Sequence, residues 1–361
     1  MKRMVFAFYL LFFSAISLSA YELPIVVYPR QIKFNYESGR TNDAIDIRKD
    51  YDEEISVPEW VHDGANEKFA YIRNVSDRKI QASIYSNCSP VHLDITIQDI
   101  TGDSPGEVTL FEADTYTPTA GNYLTIPLEG TVANYVDIKS FTWEWDIEAE
   151  NTYGVWPYED SGSAVEYTSH SYYILLEVPH EPMTVPWKIA LDFACDWASG
   201  KNNEEDIIIA LTQNAYNSGR FAYNSTTFWA PDGGPFYLSN MIAFSGLPAN
   251  CKDMSSMVYV FARTLGCATA KLRQIDGPFN MNASQVKPVS KTWSYVGTFG
   301  MHQIVSRIST VYDPTLMLRD SNYENERVPT NEVLDSEYKN DLYLSGTWDV
   351  GDPYDYNVSI R

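Results

Sequence analysis

Pro248-Ala249-Asn250-Cys251-Lys252-Asp253-Met254 opens the stretch that decides the reading of this chain. Asn250 is a good helix N-cap, and Asp253 stands where a capping-box acid would answer it. Apolar residues then recur at Met254, Met257, Val258, Phe261 and Leu265, a spacing of three and four, and Gly266 stops the pattern. The spacing predicts a helix whose first residue is Cys251. Free backbone N–H groups and the positive end of the helix dipole point at a sulfur in that position. They favour the thiolate, which is the nucleophilic form of cysteine. Asp253 opposes this mildly, because a nearby negative charge disfavours a second one.

Two later residues complete a thiol-based constellation. His302 lies in Gly300-Met301-His302-Gln303-Ile304-Val305, a strand-like run, and it is the only histidine after His180. Asp313 follows in Val311-Tyr312-Asp313-Pro314-Thr315. A cysteine, a histidine to activate it and a third group to orient that histidine are the parts of nucleophilic acyl transfer.

In this order the three motifs resemble the transglutaminase-like superfamily, a papain-like thiol fold. Its Cys-x-Asp motif, its apolar helix running to Leu-x-x-x-Gly and its Asp-Pro-Thr element are similar to Cys251-Lys252-Asp253, to Arg263-Thr264-Leu265-Gly266 and to Asp313-Pro314-Thr315. The resemblance covers roughly residues 205 to 320. It implies Cys251 as nucleophile, His302 as general base and acid, and Asp313 as the group that orients the imidazole. It also implies an oxyanion donor upstream of the cysteine, and either Trp229 or Tyr237 is a candidate. This chain departs from the pattern in places. Ala249 stands where the family often has Gly, and Gln303 and Ile304 stand where an aromatic residue often follows the histidine. No Gly, Asn or Pro lies between Arg307 and Thr310 to mark a hairpin turn.

The remaining composition bounds the partners. The chain has 361 residues and a formal net charge of −22. That length suggests more than one domain. The acidity and the absence of a Lys/Arg cluster argue against nucleic acid as a partner. Lys2 and Arg3 precede an apolar run from Val5 to Ile16 that small residues close at Ser17, Ser19 and Ala20. This reads as a signal peptide over residues 1–20, so a secreted, periplasmic or cell-surface location is expected, with no integral membrane segment in the mature chain. The four cysteines are Cys88, Cys195, Cys251 and Cys267. They are too few for a disulfide scaffold, although Cys195 and Cys267 are candidates for one bridge. No Cys/His cluster has zinc spacing, and the proposed chemistry requires no cofactor.

Short alternating runs fill the first half, among them Lys79 to Tyr85, His92 to Ile97, Val108 to Phe111, Tyr123 to Ile126, Phe141 to Trp145 and Ser171 to Val178. They predict strands of an Ig-like sandwich. The segment Pro179 to Pro186 marks a boundary. Helices are expected over Trp187 to Ala198 and Glu204 to Asn217, then the Cys251 helix, then strands carrying His302 and Asp313.

The expectation is therefore a multidomain chain: a signal peptide at 1–20, an all-β sandwich at 21–180, an α+β transglutaminase-like domain at 181–320, and a polar Tyr/Asp-rich extension at 321–361. The expected function is thiol acyl transfer or amide hydrolysis on a protein or peptide substrate. Export and the lack of calcium-loop patterns point away from calcium-dependent enzymes. The alternative is a catalytically inactive surface protein that keeps the fold, with the sandwich as an adhesion or glycan-binding module.

Overall fold

The computed structural model describes residues 22–37, 43–226, 229–231, 234–293, 295–320, 322, 324–355 and 359–361. The expected signal peptide at 1–20 lies outside these residues. The chain is mostly β with few helices.

The first half holds nine strands: β1 (Val27–Lys33), β2 (Trp60–Val61), β3 (Phe69–Ile72), β4 (Lys79–Ser86), β5 (Val91–Asp99), β6 (Val108–Tyr116), β7 (Leu124–Pro127), β8 (Asp137–Glu150) and β9 (Ser161–Leu175). They form two sheets, ordered β2-β1-β4-β7 and β3-β9-β8-β5-β6. All pairings are antiparallel except β3 with β9. Period-two patterning sets the faces. Along β8, Phe141, Trp143, Trp145, Ile147 and Ala149 point into an apolar cluster shared by both sheets, while Glu144, Asp146, Glu148 and Glu150 face outward. β8 and β9 run longer than the sequence pattern predicts. They pair from Asp137↔Ile174 to Glu150↔Ser161, and the polar residues of the ladder ends carry no apolar signal.

The second half begins with α1 (Lys188–Trp197) and α2 (Glu204–Asn217), followed by β10 (Phe221–Tyr223), α3 (Leu238–Ala243), β11 (Leu247–Ala249) and α4 (Cys251–Thr264). Then come β12 (Lys271–Met281), β13 (Val286–Pro288), β14 (Thr298–Arg307), β15 (Thr310–Tyr312), β16 (Leu316–Leu318) and β17 (Thr330–Val333). A single π-helical turn, Leu334–Tyr338, leads into α5 (Lys339–Leu342), β18 (Tyr343–Gly346) and β19 (Asp349–Val350). The central sheet runs β17-β15-β14-β12-β18, and β19 also pairs with β12. α4 packs on β14, where the Ser255 hydroxyl donates to the Gln303 carbonyl at 2.8 Å.

The halves meet across an apolar cluster. Ala70, Tyr173, Leu175 and Leu176 from the strands share it with Leu191 and Cys195 of α1 and Phe261 of α4. The Tyr173 hydroxyl donates to Asp192 at 2.6 Å across the junction. Residues beyond 320 supply β17, β18 and β19. Asp355 accepts from the Tyr259 hydroxyl and the Lys271 ammonium, which ties the tail to α4 and β12. All four cysteines are free thiols. The candidate bridge between Cys195 and Cys267 is thus corrected: both thiols are fully buried, and burial pushes both well above the ordinary thiol pKa.

Candidate active site

Local sequence places Cys251 at the first position of α4. Asn250, in extended conformation, caps the helix: its side chain accepts from the Asp253 N–H at 2.9 Å, and Asp253 accepts in return from the Asn250 N–H at 3.0 Å. The reciprocal pair fixes where the helix starts. It leaves the Cys251 N–H without an acceptor among the described residues. Asp253 does more than cap. It also accepts from the Trp229 and Ala230 N–H groups at 3.1 and 2.8 Å. Its charge is therefore engaged by three backbone donors, which weakens its opposition to a thiolate.

His302 sits mid-strand in β14, opposite Ile275 of β12, and is fully buried. Asp313 directly follows β15. The hairpin that returns it beside His302 turns at Ile308 and Ser309, with Ile308 in the left-handed region at φ 58°. This conformation answers why no turn residue marked the interval: a strained, exposed isoleucine makes the turn. The His302 Nε2 lies 2.9 Å from Asp313 Oδ2. The same oxygen accepts from the Tyr338 hydroxyl at 2.7 Å, and Oδ1 accepts from the Thr315 N–H at 2.8 Å. Tyr338 went unseen in the sequence, because nothing in a polar stretch downstream distinguishes it from its neighbouring tyrosines.

With Nε2 engaged, Nδ1 is left for the sulfur. Nδ1 is buried and has no hydrogen-bond partner among the described residues, while Cys251 acts on the ring electrostatically. Such loose alignment is usual before substrate binds. Burial, the largest single influence, pulls the His302 pKa down. The charges of Asp313 and Cys251, with the hydrogen bond to Asp313, outweigh it and leave the ring pushed up to about 10. The neighbouring acid and sulfur thus favour the charged form of the ring.

Phe299 packs against His302 in a tilted arrangement, 4.7 Å between ring centroids. The aromatic partner of the histidine precedes it in β14, while Gln303 instead clasps Ser256 and Tyr354. A cleft of about 270 Å³ opens over the cysteine, with Tyr223, Ser225, Lys252, Phe299 and Met301 among its walls. Cys251 itself is 4% exposed. A second cavity of about 340 Å³, lined by Asp46, Arg48, Glu59 and Lys68 among others, holds no nucleophile.

Neither oxyanion candidate lines the cleft. The Trp229 indole N–H donates to the Pro248 carbonyl at 3.0 Å, so it is spent on the backbone leading into α4. Tyr237 sits at the start of α3. Among the described residues, no group of three or more His, Cys, Asp or Glu side chains could hold a metal ion, and no helix is long and apolar enough to cross a membrane.

No protein-family model matches the chain, and no curated protein matches it. Among solved structures, a crystal structure of red sea bream transglutaminase is a distant neighbour, with a TM-score of 0.36 and 11% sequence identity. The match covers 73% of this chain and 52% of that one, so the chain spans about half the length of its neighbour.

Proposed function

We propose that this protein is an exported, transglutaminase-like thiol enzyme that transfers or hydrolyses acyl groups of a protein or peptide, using Cys251, His302 and Asp313. One observation carries the reading. A helix-capped cysteine acts on a buried imidazole, whose far nitrogen is held by an acid that two further donors pin in place. In this reading the Cys251 thiolate attacks an amide carbonyl and a sulfur–carbon bond forms. His302 gives its proton to the departing amine as the carbon–nitrogen bond breaks. Water or an amine, deprotonated by His302, then attacks the thioester and releases the thiol. Residues 21–180 serve as an Ig-like sandwich, and the helices and central sheet as the α+β catalytic domain. The apolar run from Val5 to Ile16 directs export.

The test is alkylation by iodoacetamide at pH 6. Cys88, Cys195 and Cys267 are buried and their pKa values raised, so labelling reports Cys251. Faster labelling than a model thiol, abolished in Cys251→Ala, supports the reading. A rate no faster than the model thiol rejects it in favour of a non-catalytic binding protein, the alternative that the low exposure of Cys251 favours.

A further inference from the structure

An oxyanion hole needs a donor beside the nucleophile's own N–H, and Trp229 and Tyr237 are both placed elsewhere. One residue in the cleft fits the task. Tyr223 ends β10, which pairs in parallel with β11, and the register sets Tyr223 opposite Ala249, two residues before the nucleophile. Its N–H donates to the Val289 carbonyl at 3.0 Å, and the next residue donates to the Ala249 carbonyl at 3.0 Å. The backbone is therefore fixed on both sides. The ring is held edge-on by Tyr295 at 5.8 Å and by Phe299 at 6.4 Å, the same Phe299 that packs against His302. Tyr223 is nearly buried and lines the same cleft as Cys251.

We propose that the Tyr223 hydroxyl, together with the Cys251 N–H, hydrogen-bonds the oxyanion of the tetrahedral intermediate formed on Cys251. This inference rests on the thiol acyl-transfer reading. Burial, and next the negative charge of Cys251, hold the Tyr223 proton in place, so the hydroxyl stays a donor throughout the neutral range. The Tyr223 side chain shares the cleft with Cys251, and its backbone is held in place before substrate arrives.

Two reagents separate the roles. Iodoacetamide alkylates the sulfur by direct displacement and forms no oxyanion. p-Nitrophenyl acetate passes through one: the sulfur bonds to the carbonyl carbon, nitrophenolate leaves with the carbon–oxygen electrons, and an acetyl thioester remains on Cys251. In Tyr223→Phe, acetylation is expected to slow by about 10²-fold, the cost of losing one oxyanion donor, while alkylation keeps its wild-type rate. Tyr153→Phe, at an exposed turn between β8 and β9, leaves both rates unchanged. Equal rates for the Phe variant and wild type with both reagents overturn the assignment. So does an equal slowing of both, which would place Tyr223 with the thiol rather than with the oxyanion. Wild-type alkylation no faster than a model thiol overturns the acyl-transfer reading, and this inference with it. If the Phe variant fails to fold, 3-fluorotyrosine at position 223 keeps ring and hydroxyl. An altered acetylation rate with unaltered alkylation then supports the role, and an unaltered acetylation rate overturns it.

Discussion

Replacing Asp313 by Asn keeps the shape of the side chain and removes its charge, and the protein contains its own control for the outcome. His170 is as deeply buried as His302 but has no acid partner, and burial alone drives its pKa down to about 3. His302 is pushed up to about 10 in spite of the same burial. The gap between the two corresponds to on the order of 10 kcal/mol in the preference for a charged ring. Asp313 leads the influences that create it, ahead of Cys251. In Asp313→Asn the ring is therefore expected to behave as His170 does and to be neutral at pH 7. Ring ¹⁵N NMR, with only five histidines to assign, reads the protonation state directly. The wild-type ring should remain a cation at pH 8 and the variant ring should not. Under the proposed acyl-transfer reading, alkylation of Cys251 at pH 6 should then fall by on the order of 10²-fold or more. A variant whose ring is still charged at pH 8, or whose labelling is unaltered, would refute the electrostatic argument.

Three further outcomes are expected. Tyr338→Phe removes the buried 2.7 Å hydrogen bond to Asp313 and should lower stability by about 1–3 kcal/mol in a denaturant titration, with slower Cys251 alkylation; an unmoved midpoint would show that the hydroxyl holds nothing. Ile308→Gly relieves the left-handed backbone at the hairpin tip and should raise the melting temperature, by an amount equivalent to about 1 kcal/mol; a drop would mean that the exposed side chain contributes more than the strain costs. Glu59 is held up to about 7, chiefly by burial, against N–H donors from Phe34 and Asn35, so the folded chain binds its proton more tightly than the unfolded chain does. Its contribution to stability is complete below about pH 4.5 and is lost towards pH 7 at about 1.4 kcal/mol per pH unit; Glu59→Gln should flatten that window in pH-dependent melting, and an identical profile would contradict the assignment.

What the sequence shows most clearly is whatever rests on local rules. The Asn250–Asp253 cap and the apolar spacing of α4 are written in consecutive residues, and so is the period-two alternation of β5 and β8. The pairing of His302 with Asp313 was readable only as an ordered set of motifs. The turn that makes it possible uses Ile308, a residue no turn rule selects. Long-range choices were invisible. Trp229 and Tyr223 are both aromatic and both upstream of the cysteine, and only the register of β10 on β11 tells them apart. The indole is drawn off by Pro248, and Tyr223 lines the cleft with Cys251. Tyr338 reaches Asp313 through a single π-helical turn, a geometry with no sequence signature.

That last contact has a consequence for how the molecule comes into being. A chain is made from its N-terminus onward, so Cys251, His302 and Asp313 emerge from the ribosome before Tyr338, which donates to Asp313. Until β17 has zipped onto β15 and swung Tyr338 inward, Asp313 lacks one of its anchors. Under the proposed acyl-transfer reading, a nascent or clipped polypeptide lacking that tyrosine carries an incomplete site, and reactivity waits on the later segment.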